Sequence, residues 1–138
     1  MAATVPQVIE RWHRIALDNR PDELKGILAP DCVFESPVVH TPQQGSAIVE
    51  AYLRGALKVL NTEHFHYGGE WYGDTSAVLE FFSEVDGVKI NGVDIISWNA
   101  AGQITHFKVM VRPLKAINKL HEKMGEYLMS IGAVKAKG

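Results

Sequence analysis

Ile90-Asn91-Gly92-Val93-Asp94-Ile95-Ile96-Ser97-Trp98-Asn99-Ala100-Ala101-Gly102-Gln103-Ile104-Thr105-His106-Phe107-Lys108-Val109-Met110-Val111-Arg112 decides the fold. Two long apolar runs flank a short turn at Asn99–Gly102, the pattern of a β-hairpin closed by glycine. Asp94 interrupts the first run. A carboxylate in an apolar strand costs free energy unless it is paired, hydrogen-bonded or protonated. It is therefore the most informative side chain of the stretch.

Toward the N-terminus, Ser76 to Val85 alternates strictly. Ala77, Leu79, Phe81 and Ser83 share one face; Val78, Glu80, Phe82 and Glu84 share the other. Asp86-Gly87 then marks a tight hairpin. Asn91-Gly92 lies too close to that turn to be another and is read as a bulge. Period two begins at His64, with Phe65, Tyr67 and Trp71 in one strand, a bulge at Gly68-Gly69 and a turn at Tyr72-Gly73-Asp74. Toward the C-terminus, Pro113 fits the first turn of a helix. Leu114, Ile117, Leu120, Met124, Leu128 and Ile131 line one face of it, and Gly132 ends it.

The first third reads as helical. Thr4 is the expected N-cap of a helix with Gln7 three residues on, and Pro6 sits in its first turn. Val8, Ile9, Trp12, Ile15 and Ala16 form its apolar face to about Asp18. A break at Asn19–Asp22 precedes a short helix with Leu24, Ile27 and Leu28 inward, stopped by Ala29-Pro30-Asp31. Cys32–Ser36 reads as a short strand limited by Pro37. Gly45-Ser46 opens a third helix with Ile48, Val49, Tyr52, Leu53, Ala56, Leu57 and Leu60 on its apolar face. Helices followed by an antiparallel meander and a last helix point to the α+β class.

The 138 residues suggest one domain, 1–138. Hydrophobic residues at 46% suffice for a core. The net charge of −2 and the lack of basic runs argue against nucleic acid and anionic membrane as partners. No apolar run approaches the roughly 20 residues of a membrane span. Met1–Pro6 lacks the basic and apolar regions of a signal peptide. Cys32 is the only cysteine, which fits a reducing compartment. The expected location is cytoplasmic.

Ala29–Pro37, Gly45–Ile48, Val93–Ile104 and the ending Phe107–Pro113 resemble the NTF2-like superfamily, in its SnoaL-like and ketosteroid-isomerase-like branch. The resemblance covers nearly the whole chain and implies a cone: a curved, mostly antiparallel sheet wrapped around the N-terminal helix, enclosing an apolar pocket. It implies a homodimer through the outer sheet face, to which Glu80, Phe82 and Glu84 would point. In the isomerases of this branch a neutral aspartic acid and a tyrosine donate hydrogen bonds to a developing enolate, and a second aspartate moves the proton. The neutral acid matches Asp94. The base position falls on Ser36 and the tyrosine on Trp12, so one of the three residue types is kept. Serine is a poor base at neutral pH, and an indole only donates.

Within that frame Asp94 is a pocket acid or a carboxylate satisfied by a neighbouring donor. His40, in the loop after the strand ending at Ser36, is a base opposite Asp94 or a solvent-facing loop histidine. Trp12, Ser36, Tyr52, Phe81, Trp98 and Phe107 are candidate pocket walls, although aromatics at such spacing equally build cores. His64 and His66 share a face, but no third ligand accompanies them, so no metal site is expected. Arg112 pairs with Glu80 or Glu84 on the outer face or turns inward to an acidic ligand. Cys32 is a small core residue.

The expected function is cofactor-free binding of a small apolar carbonyl-bearing or cyclic molecule. Asp94 would be the hydrogen-bond donor, in isomerase, cyclase or hydrolase chemistry. The alternatives are a non-catalytic small-molecule-binding or accessory protein, and a dimeric interaction module that uses the outer sheet face.

Overall fold

Alternation decides the sheet, and the computed structural model, which describes residues 4–132, shows how. Helix α1 spans Gln7–Leu17, and a single 3-10 turn at Pro21–Glu23 leads into the short α2, Leu24–Ile27. Strand β1 is Leu28–Glu35, β2 is Gln43–Gln44, and α3 is Ser46–Leu60. The meander follows as β3 (His66–Tyr72), β4 (Ser76–Val85), β5 (Val88–Trp98) and β6 (Ile104–Arg112). Helix α4, Leu114–Ser130, closes the order.

The six strands form one curved, unclosed sheet in the order β2-β1-β6-β5-β4-β3. β1 runs parallel to β6 and every other pair is antiparallel, so the architecture is the α+β one expected. β4 buries every second residue from Ala77 to Val85, as its alternation requires. Asp86 and Gly87 both take positive φ, which lets a two-residue loop follow the twist of β4 and β5. At the next turn Asn99 Oδ1 accepts the amides of Ala101 and Gln103, and Gly102 supplies a positive φ.

The helices pack their apolar stripes on the sheet's inner face. Val8, Ile9, Trp12, Ile15 and Ala16 of α1 are all buried, the set its spacing predicts. α3 buries Val49, Tyr52, Leu53, Leu57 and Leu60. They join Phe34, Phe81, Ile96 and Phe107 in one hydrophobic cluster. No helix among the described residues is long and apolar enough to cross a membrane.

Several local expectations are corrected. Pro6, not Thr4, precedes α1; its backbone is extended and its carbonyl takes the amides of Ile9 and Glu10. β1 starts at Leu28, which pairs with Ile104, rather than at Cys32. A register shift between Leu28 and Val33 absorbs Pro30, which has no ladder donor to offer. Phe65 precedes β3, which begins at His66.

Asn91-Gly92 is not a bulge. The β4–β5 register runs through Phe82↔Asn91 and Phe81↔Gly92 without a shift. Glycine is there because a Cβ would lie 2.4 Å from Phe81 Cζ and 2.7 Å from the Met110 carbonyl oxygen. The expected bulge at Gly68-Gly69 is present as a register shift between Tyr67 and Glu70.

On α4 the buried residues Ala116, Leu120 and Leu128, with half-buried Met124 between them, follow a four-residue row. Leu114 and Ile131 fall off that row and are exposed. Arg112 donates to Asn91 Oδ1 at 3.4 Å, and Asn91 in turn donates to Glu80 at 3.1 Å, so no direct Arg112 ion pair with Glu80 or Glu84 forms.

Candidate functional site

Asp94 sits mid-way along β5, paired with Leu79 on one side and Val109 on the other. The alternation that buries Gly92, Ile96 and Ile90 turns it to the inner face, where it is only 6% exposed. Tyr67, on edge strand β3, reaches it across β4. The Tyr67 hydroxyl donates to Asp94 Oδ2 at 2.9 Å. Its oxygen accepts the Trp12 indole N–H at 2.8 Å. A chain of donors thus runs from α1 through β3 to β5, and Trp12 has no second N–H left for a ligand.

Burial pushes the Asp94 carboxyl from its ordinary 3.8 up to about 7, against the Tyr67 hydrogen bond, which pulls it down. Burial first, and then the Asp94 charge, holds the Tyr67 phenol well above its usual range. Tyr67 therefore stays protonated and remains the donor. Among the described residues no group hydrogen-bonds Asp94 Oδ1, yet no buried polar side-chain atom is left unpartnered. Oδ1 is accordingly the atom that opens to free space.

That space is a cavity of about 50 Å³. The sheet supplies Phe81, Asp94, Phe107 and Val109 to its wall. α1 and β3 supply Trp12 and Tyr67, α3 supplies Leu53 and Leu57, and α4 supplies Leu120 and Met124. Ser36, Pro37 and Val38 form the rim after β1. Trp12 packs edge-on against Phe107, with ring centroids 4.8 Å apart, which fixes the indole that feeds Tyr67. Asp94 is the one carboxylate among these lining residues. The arrangement can present a single proton, or accept one, at an otherwise apolar wall.

Of the candidate residues, Asp94, Trp12, Ser36, Phe81 and Phe107 meet at this cavity. Ser36 spends its hydroxyl oxygen on the Val38 amide at 3.1 Å. Tyr52 is buried beside Phe34 and Trp98 packs at the margin of the core; neither lines the cavity. His40 is exposed and lines an adjoining groove with Glu35 and Lys108, which shares Ser36, Pro37 and Val109 with the cavity. In that region Glu35 bonds His106 Nε2 at 2.6 Å, and the bond holds its carboxyl below the usual range.

Beside the cavity, His13 Nε2 meets Glu70 Oε2 at 2.7 Å, and the Tyr72 hydroxyl donates to Glu70 Oε1 at 2.6 Å. Burial, then the Glu70 contact, raises the Tyr72 phenol to about 12. This clasp ties α1 to β3 one residue from Trp12 and three from Tyr67. Among the described residues no group of three His, Cys, Asp or Glu side chains is arranged to hold a metal.

No family model and no curated protein sequence matches the chain. Solved structures do. A steroid delta-isomerase from Pseudomonas aeruginosa is similar with a TM-score of 0.86 and 34% identity, over 92% of this chain and 93% of that one. The chain belongs to the NTF2-like superfamily. Its place is the SnoaL-like and ketosteroid-isomerase-like branch. An NTF2-like protein of unknown function from Mesorhizobium loti shares the fold, with a TM-score of 0.68 and 16% identity over 78% of this chain and 89% of that one. So does a candidate SnoaL-like polyketide cyclase from Jannaschia, with a TM-score of 0.67 and 11% identity over 87% and 97%.

For this NTF2-like chain the residue that sequence reasoning passed over is Tyr67. A buried phenol needs a hydrogen-bond partner, and so does a buried carboxylate. That mutual need is the signal that would have joined Tyr67 to Asp94.

Proposed function

We propose that the protein binds a small, neutral, mostly apolar molecule bearing a carbonyl or similar acceptor oxygen, and that protonated Asp94 donates a hydrogen bond to that oxygen. The observation that carries this reading is the free Oδ1 of a carboxyl raised to about 7, its Oδ2 held by Tyr67. A lone carboxylic acid on an apolar wall suits an acceptor oxygen and disfavours an anion.

Chemistry at such a site is a proton shift next to the carbonyl, in which a solvent water admitted with the ligand takes the proton from one carbon and returns it to another while Asp94 keeps its own. A hydrogen bond from Asp94 stabilises the enolate as charge develops on oxygen. The similarity to a steroid delta-isomerase supports a cyclic ketone as the ligand class. Asp94→Asn then retains binding, because the amide still donates, and lowers turnover.

A second reading is a non-catalytic binding protein with the same pocket. Ser36 stands where the isomerases carry their base, and its hydroxyl already serves the Val38 amide. Titrating apolar ketones by thermal shift, followed by product analysis, separates the two. Binding with conversion supports the enzyme; binding without conversion supports the second reading; no stabilisation by any ketone counts against both.

The same proposal includes a homodimer through the outer sheet face, where Met110 is half exposed opposite Val93. Sedimentation at micromolar concentration tests it, and a monomer would contradict it.

A further inference from the structure

We propose that Met124 is the movable wall that sets the size of ligand this site admits, and that Gly55 is the notch that holds it back. The inference rests on the reading of the cavity as a ligand site. A water needs roughly 10–15 Å³ of such space, so a cavity of about 50 Å³ holds only a few. A cyclic ketone enters only if a wall moves.

The walls differ in how firmly they are held. Phe81, Asp94 and Phe107 stand on strands paired on both sides. Trp12 is tied to Tyr67, and His13 beside it to Glu70. α4 alone covers the cavity with side chains from a helix that buries only Ala116, Leu120 and Leu128. Of its two cavity residues, Leu120 is buried and Met124 is half-buried. Met124 is unbranched and changes shape at low cost.

Its seat is specific. The Met124 Cε methyl lies 2.9 Å from where a Cβ on Gly55 would stand, and the Tyr127 ring lies 2.8 Å from the same point. The missing side chain on α3 therefore lets the thioether end rest against the α3 backbone. Next to Met124, Gly125 has open space around its absent Cβ. A mid-helix glycine without a packing reason weakens the helix at that turn, which favours movement there.

Ring-size selectivity tests this. Cyclohexanone, 1-decalone and a saturated three-ring ketone are titrated calorimetrically against the wild type and against Met124→Ala, Met124→Phe and Gly55→Ala. Met124→Ala is expected to improve the three-ring ketone relative to cyclohexanone by tenfold or more. Met124→Phe and Gly55→Ala shift the preference the other way. Because Met124→Phe and Met124→Ala oppose each other, either one that folds decides the question. Binding in which all three ketones change by the same factor overturns the movable wall and leaves the binding reading standing. Absence of binding to the wild type and to every variant overturns both.

Discussion

Tyr67 and Asp94 share one hydrogen bond of 2.9 Å across the inner face of the sheet, and its direction is set by what lies behind the phenol. The Trp12 indole can only donate, so it takes one lone pair of the Tyr67 oxygen, and the hydroxyl proton points to Asp94. The phenol thus supports the carboxylate form of Asp94 while burial opposes it, and burial wins. A tyrosine thus reaches the acid from the edge strand β3, with the indole of α1 behind it.

Asp94 makes stability fall with rising pH. Its folded pKa of about 7 exceeds the ordinary 3.8, so between these values the folded state holds more proton than the unfolded one. The contribution is full below about 4 and lost as pH rises through about 7. At 1.36 kcal/mol per unit the difference is on the order of 4 kcal/mol. Urea unfolding midpoints of the wild type should decline between pH 4.5 and 8, and Asp94→Asn should flatten that decline. Equal slopes for the two proteins would sink the prediction.

Tyr67→Phe removes an acceptor from Trp12 and a donor from Asp94. The stranded indole N–H costs roughly 1–3 kcal/mol. The Asp94 carboxyl loses the bond that lowers it and titrates above its present value of about 7. Carboxyl carbon shifts followed by NMR against pH would show the rise; an unchanged or lower midpoint would contradict it.

Gly92→Ala tests the packing of β5. The added Cβ meets Phe81 Cζ and a backbone carbonyl, and the carbonyl cannot swing away. Overpacking of this kind costs about 1–3 kcal/mol. A denaturation midpoint equal to the wild type would show that the strand shifts freely.

The fold was legible where one rule acted alone. β4 alternates without interruption, and the i, i+3, i+4 face of α1 buries as written. Asp94 announced itself because a charge broke an apolar run. Features made by distant partners were not legible. Tyr67 precedes a glycine pair whose register shift hides the strand's period, and its partners lie 55 and 27 residues away. Leu28 reads as the last residue of a helical stripe, and only its pairing with Ile104 makes it a strand. The loop of His40 follows Pro37, and nothing local tells the cavity wall from the groove that adjoins it.

The most direct test of the account is the pH dependence of binding of a neutral cyclic ketone such as cyclohexanone, measured from pH 5 to 8.5 for the wild type and Asp94→Asn. If protonated Asp94 is the donor, wild-type affinity is level at low pH and falls toward tenfold per unit above about 7. Asp94→Asn binds with no such fall, because its amide donates at every pH. Wild-type affinity that stays constant across the range, or that rises with pH, would contradict the assignment of Asp94 as the donor.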